Sequence, residues 1–362
     1  MFVRFRKAGC GFSYQRKKKL FVMNVSPRLL LVRRGREEES VHCGRAVVAT
    51  ATGETVLAIG DVEARAFPRS AIKPLQALPL VASGAAETFG LTDAEIALAC
   101  GSHVGSPLHV ATAQSILGKI GLSSNALECG VHWPLESGEA RALAARGEEP
   151  TVLHNNCSGK HCGFLAVGAC RGLDVAGYTK ASHPIMREVT DAISLLTGVT
   201  LDEAQACIDG CAIPAFSMPL VSVATGFARL GTGDGLSPLL ARSAERIRTA
   251  IVQNPIMLSG EGRVDTCITA ECHGEVFVKS GAEGVMAASI PAIGYGLAVK
   301  IDDGAQRAAT AVMANLLLQV LQKHGIGTAN AIEALTGHAR FQLKNWNGAT
   351  VGSVEPVGFT DQ

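Results

Sequence analysis

Arg69-Ser70-Ala71-Ile72-Lys73-Pro74 sets a hydroxyl and an amine three residues apart. If Ser70 opens a helix, Lys73 lies one turn on along the same face, since positions three apart are surface neighbours. A serine hydroxyl needs an adjacent base to become a nucleophile. A lysine can be that base only where burial or a nearby cation favours its neutral form. The spacing is that of acyl transfer through serine, although serine and lysine at this spacing also occur on ordinary exposed helices.

Other stretches share the chemistry. Lys279-Ser280-Gly281 closes the predicted strand 275–281 and matches, in residue type and order, the K-[ST]-G that follows S-x-x-K in penicillin-recognising enzymes. Gly101-Ser102-His103-Val104-Gly105 has glycines on both sides of a Ser-His pair, the composition of a tight turn that presents its side chains. A third cluster runs from His154 to Cys162 (HNNCSGKHC), followed some fifty residues later by Cys207 and Asp209-Gly210-Cys211. Cys157 and Lys160 are three apart at a predicted helix start, so both can point at one centre, and a second thiolate at Cys211 suits zinc. The spacing is not that of a C-x-x-C pair, so buried structural cysteines remain the alternative.

These residues need elements to position them. Residues 28–33 and 45–60 read as strands, the latter a hairpin about Thr52-Gly53. PLQALPLVAS after Lys73 has the apolar content of a buried helix that Pro79 should kink or shorten. Thr92-Asp93 caps a helix over DAEIALAC. Helical periodicity marks 107–120, 137–147, 159–172, 184–197, 218–230, 237–253 and 305–323, and 275–281, 292–301 and 349–357 read as strands. Strands at both ends around a helical middle predict a mixed α/β fold, a largely antiparallel sheet with the helical region against it. No repeat or linker appears, so residues 24–362 are expected to form one catalytic unit.

At 362 residues, with 47% hydrophobic and 18% charged residues and 40 glycines, the chain can bury a sizeable core. No long uncharged apolar run is present, which argues against a membrane span. Eleven scattered cysteines suit reduced thiols and a cytoplasmic location. Seven basic side chains and no acid lie in the first 22 residues. Residues 1–23 are expected to be a disordered basic extension, with Met23 a possible effective start, and the acidic remainder makes nucleic acid an unexpected partner.

RSAIKP, CGSHVG, NNCSGKH, the DGC of 209–211, the GRVDT ending at Thr266 and VKSGAEG occur in one order from about Ser26 to the NWNG of 345–348. Together they resemble the rhizobial-type L-asparaginases, the thermolabile and constitutive enzymes of the asparaginase II family. The resemblance implies a serine-β-lactamase and glutaminase-like fold, a homodimer, and hydrolysis of L-asparagine to L-aspartate and ammonia. It implies two serine–lysine tandems, Ser70 with Lys73 and Ser102 with Lys279. It also implies zinc on Cys157, Lys160 and Cys211, and substrate contacts from Arg69, Asn156, His161 and Asp209. The rivals are a glutaminase or penicillin-type acyl hydrolase of the same fold, and a zinc-binding or thiol-sensing protein without turnover.

Overall fold

The computed structural model describes residues 26–359; the basic extension expected over 1–23 lies outside them. Its centre is an antiparallel sheet of eight strands: β1 (Arg28–Arg34), β2 (Glu37–Thr50), β3 (Thr55–Ile59), β4 (Phe277–Ser280), β5 (Val285–Ile290), β6 (Tyr295–Ile301), β7 (Phe341–Lys344) and β8 (Thr350–Pro356). The order is β7-β8-β1-β2-β6-β5-β4, with β3 also paired to β2. Strand β2 joins the halves: Glu37–Cys43 pairs with β1, and Gly44–Thr50 with β6. The sheet is thus built from both ends of the sequence, as the strand pattern predicts.

Alternate residues of the central strands feed two cores. Val47, Ala49, Ala287 and Ala298 face the helical region, while Ala46, Val48, Leu297, Val299 and Ile301 face the opposite side. Burial on both faces explains why these strands read as nearly continuous apolar runs. The elements used below are α1 (Asp93–Ala99), α2 (Ser158–Arg171), α3 (Leu220–Thr232), α4 (Val264–Glu271), α5 (Gln306–Lys323) and α6 (Ala329–Ala339). Helices α5 and α6 cover one face of the sheet, and α3 lies on the other.

Several expectations hold in detail. Thr92 caps α1 in a reciprocal box: its hydroxyl accepts from the Glu95 N–H, and Glu95 Oε2 accepts from the Thr92 N–H at 2.7 Å. The helix after Lys73 breaks at Ala77 into Lys73–Gln76 and Leu78–Ala82, with Pro79 in the first turn of the second piece. Other elements differ from the pattern. Strand β5 is missed because VMAASI is buried throughout and carries no alternation to read. The start of β2 is missed because Glu37–Glu39 is charged and exposed, while α4, α6 and β7 lie in segments the pattern leaves unassigned.

Helix α3 packs flush on β6. A β-carbon at Gly296 would run into the Ala224 carbonyl oxygen and the Ala228 nitrogen, both backbone atoms that cannot rotate away. Gly296→Ala should therefore destabilise the chain by about 1–3 kcal/mol. A drop in the midpoint of chemical denaturation without a change of slope is the expected result.

Candidate active site

Ser70 lies on the 3-10 turn Arg69–Ile72, which runs directly into the short helix opened by Lys73. The turn starts with a strained residue: Arg69 has φ +51°, a left-handed conformation that side chains with a β-carbon rarely adopt. Arg69 is held there by Asp209, whose Oδ1 accepts from its Nε at 2.8 Å and lies 2.6 Å from its second guanidinium nitrogen. Burial works against the Asp209 charge, but the Gly210 N–H and Arg69 outweigh it and keep the carboxyl below the usual range. Two residues expected to contact substrate thus contact each other and brace the Ser70 turn.

The end of β4 presses on the same turn. A β-carbon at Gly281 would sit 2.5 Å from the Pro68 carbonyl oxygen and 3.1 Å from the Ala71 nitrogen, so only glycine allows this approach. The K-S-G and S-x-x-K segments, two hundred residues apart in sequence, are thereby in contact.

Lys73 is 1% exposed. Its amine donates to the Gly101 carbonyl at 2.7 Å and the Asn156 carbonyl at 3.2 Å, and shares no hydrogen bond with the Ser70 hydroxyl. Burial lowers its pKa from 10.5 to about 8; Lys160 and Lys279 push the same way, against the sulfurs of Cys157 and Cys211. Burial and neighbouring cations are the two conditions under which lysine can serve as a base.

Ser102 stands on the 101–105 turn, its N–H donating to the Leu258 carbonyl at 2.7 Å. Its hydroxyl is buried and finds no hydrogen-bond partner among the described residues. Lys279, the other half of the second tandem, bonds elsewhere: its amine lies 2.5 Å from Asp265 Oδ2 and 2.9 Å from the Ser280 carbonyl.

The thiol cluster forms at the start of α2. The hydrogen bond from Cys211 and the charges of Lys160 and Lys73 hold the Cys157 thiol well below its usual pKa against burial, whereas the bond to Cys157 and burial push the Cys211 thiol up. Lys160 donates to Cys211 Sγ at 3.0 Å. Burial disfavours the Lys160 charge, but Cys157, Cys211 and Asp209 overcome this and raise its pKa. Two sulfurs and an amine converge here; the sulfurs are zinc donors by type, and the Lys160 amine becomes one only on losing the proton its surroundings favour. Among the described residues, no group of three or more His, Cys, Asp or Glu side chains gathers in this way.

His161 and Asn156 complete the set. His161 is fully buried, its Nδ1 lying 2.5 Å from the Tyr178 hydroxyl and its Nε2 unpartnered. Burial, with Lys160 and Lys73, keeps it neutral. Asn156 is partly exposed; its N–H donates to His132 Nε2 at 2.9 Å, and its carbonyl accepts from the His103 N–H at 3.2 Å besides Lys73.

His132 and Asp265 carry positioning roles that the motifs do not show, and Asn155, inside the quoted NNCSGKH, positions backbone. Asn155 ties the thiol turn to Cys129 and Gly130, accepting from the Cys157 N–H and donating to their carbonyls. His132 holds the Asn156 backbone. Asp265, within the quoted GRVDT, was given no role, although an acid in a helix facing the core asks for a buried partner.

The Lys73 shift carries a stability consequence. Its folded pKa lies below its unfolded value, so burying the charged amine costs on the order of 3 kcal/mol below pH 8, and that penalty fades between about pH 8 and 10.5. Wild-type stability measured against Lys73→Met should therefore rise across that interval. A difference constant from pH 7 to 10.5 would mean that Lys73 is not desolvated.

A family model described as L-asparaginase II matches residues 30–356. No curated protein matches the sequence. Among solved structures, a β-lactamase from Mycobacterium bovis aligns at 14% identity and a TM-score of 0.40 over 78% of this chain and 94% of its own. A putative β-lactamase from Bacteroides dorei aligns at 11% and 0.40 over 77% and 93%. The native form of the protein Mglu aligns at 15% and 0.43 over 77% of this chain and 64% of its own.

Proposed function

The chain belongs to the L-asparaginase II family of amide hydrolases, and from that premise we propose that it hydrolyses L-asparagine to L-aspartate and ammonia through an acyl-enzyme on Ser70. The observation that carries this reading is the buried amine of Lys73, on the turn that follows Ser70 and with its pKa lowered to about 8.

The neutral Lys73 amine takes the Ser70 hydroxyl proton as Ser70 Oγ bonds to the amide carbon. The same proton is then delivered to the departing nitrogen, so that ammonia leaves as the C–N bond breaks. Water, deprotonated by the amine now free again, attacks the ester carbon; the acyl–oxygen bond breaks, and the proton returns to Ser70 with release of aspartate. The N–H of Ser70 itself and one near the end of β4 are the candidates for holding the developing oxyanion. A neutral Lys73 amine can keep its two donated bonds to the Gly101 and Asn156 carbonyls and still offer its lone pair to the Ser70 proton.

Cys157, Lys160 and Cys211 would hold zinc, with Asp209 adjacent to Lys160. When bound, the ion would supply a Lewis-acidic anchor for a polar group of the substrate. Lys160 must surrender its proton to bind a cation, so metal uptake releases acid. Asn156 is partly exposed on the thiol turn, and Arg69 and Asp209 are paired with each other beside the Ser70 turn, so these are the polar groups proposed to meet the substrate. Glutamine differs from asparagine by one methylene, worth only about 1–3 kcal/mol in an apolar pocket, so strong preference requires steric or polar rejection.

Ammonia release from asparagine and glutamine tests the reading. A large preference for asparagine is expected; comparable kcat/KM on glutamine favours a glutaminase. Ser70→Ala should be almost inactive, and kcat should rise about tenfold per pH unit on the acid side before levelling above pH 8, because only the neutral amine is a base. Substantial activity in Ser70→Ala with none in Ser102→Ala would move the nucleophile to Ser102.

The metal assignment has its own measurement. Purified protein should carry about one zinc per chain by elemental analysis, falling sharply in Cys157→Ser and Cys211→Ser, with a lower melting temperature because an ion bound only to the folded state stabilises it. Zinc content unchanged in both variants would place the ion elsewhere.

A further inference from the structure

Asp265 is a buried ionisable group that the mechanism above leaves unused. It is 0% exposed, as is Lys279, so each charge is without water and depends on the other. Its carboxylate makes three contacts. Oδ2 lies 2.5 Å from the Lys279 amine and accepts from the Ser280 hydroxyl at 2.9 Å, and Oδ1 accepts from the Ser280 N–H at 2.9 Å. With the Ser280 carbonyl also taking an amine hydrogen, two of the three N–H bonds of the ammonium are committed.

The same stretch also bears on Ser102. Thr266, the next residue, donates its hydroxyl to the Pro255 carbonyl at 3.1 Å and lies 3.2 Å from the Ser259 hydroxyl. The 255–259 turn so anchored receives the Ser102 N–H at Leu258 and the Val104 N–H at Ser259, at 2.7 and 2.9 Å. The start of α4 therefore grips the strand that carries Lys279 and the turn that carries the unpartnered Ser102 hydroxyl.

We propose that Asp265 is a positioning residue for the second serine–lysine tandem, holding Lys279 as a hydrogen-bond donor with one N–H left for the reacting centre. The inference rests on the amidohydrolase reading. In it the two tandems differ in kind. Lys73 accepts the proton, and Lys279, tied to a carboxylate, contributes charge and a donated hydrogen bond. The Ser102 hydroxyl, without a hydrogen-bond partner among the described residues, would be free to accept that bond. An amide at 265 keeps the shape but removes the charge, freeing the Lys279 amine to swing away from its aim.

The test uses the full chain and asparagine as substrate. Asp265→Asn should lower kcat by about 100-fold, the loss expected of a small misplacement, with KM changed far less. Loss of fold alone would lower the amount of active protein and leave kcat per folded site untouched. The double variant Ser102→Ala/Asp265→Asn should be no slower than Ser102→Ala, because the two act in one unit. A kcat in Asp265→Asn within about twofold of wild type overturns the proposal, as do losses that multiply in the double variant. If Asp265→Asn does not fold, Asp265→Asn/Lys279→Met, which buries no lone charge, is compared with Lys279→Met. Equal kcat supports the assignment, and a further loss overturns it. Wild-type protein that releases no ammonia from asparagine overturns the amidohydrolase reading and this inference with it, whereas an active wild type with an unimpaired Asp265→Asn overturns the inference alone.

Discussion

Three lysine amines buried around one centre are the constraint on which the rest of the structure depends. Water is excluded from Lys73, Lys160 and Lys279, so each charge must be neutralised by a partner or given up. The partners differ. Lys279 has a carboxylate, Lys160 has two sulfurs and a nearby carboxylate, and Lys73 has two backbone carbonyls and the Cys157 sulfur. At Lys73, the lysine beside Ser70, burial outweighs the partners and lowers the pKa, whereas at Lys160 the partners outweigh burial and raise it. Base strength is therefore assigned by unequal pairing among like groups, the logic by which one fold separates acid and base roles.

This distribution needs rigid supports, and the scaffold supplies them at close approach. The glycine ending β4 meets the backbone of the Ser70 turn, and the next strands of the sheet are locked against α3 with no room for a side chain at Gly296. Helix α4 fastens the Lys279 strand to the 255–259 turn and, through it, to the Ser102 turn. The hydrophobic cores on both faces of the sheet hold these parts in register. The strain at Arg69 is sustained because Asp209 on one side and the strand end on the other determine the turn's path.

The thiol cluster and the lysine network share neighbours. The Cys157 thiol, whose pKa is held low, lies beside Lys73 and opposes its loss of a proton, so an ion that took up that negative charge would weaken the opposition. A metal bound at the thiols would thus bear on the base through charge, in surroundings that screen it little.

Local chemistry in the sequence determined a good deal. The capped start of α1, the break before Pro79, the hairpin about Gly53 and the amphipathic helices are each set by near neighbours, and all are present. The residue types of the site were legible too, because Ser70 and Lys73 stand on adjoining turns and Cys157 and Lys160 at the start of one helix. What only the tertiary structure decided is pairing over long separations. Lys279 turns to Asp265, Arg69 to Asp209, and Lys73 to the carbonyls of Gly101 and Asn156, choices made by which segments the sheet and α4 bring together. Strand β5 was equally hidden, since a segment buried on both faces has no period to betray it. Spacing along the chain can name the groups available for chemistry, but their charge states depend on desolvation and partners, and those exist only after the chain has folded.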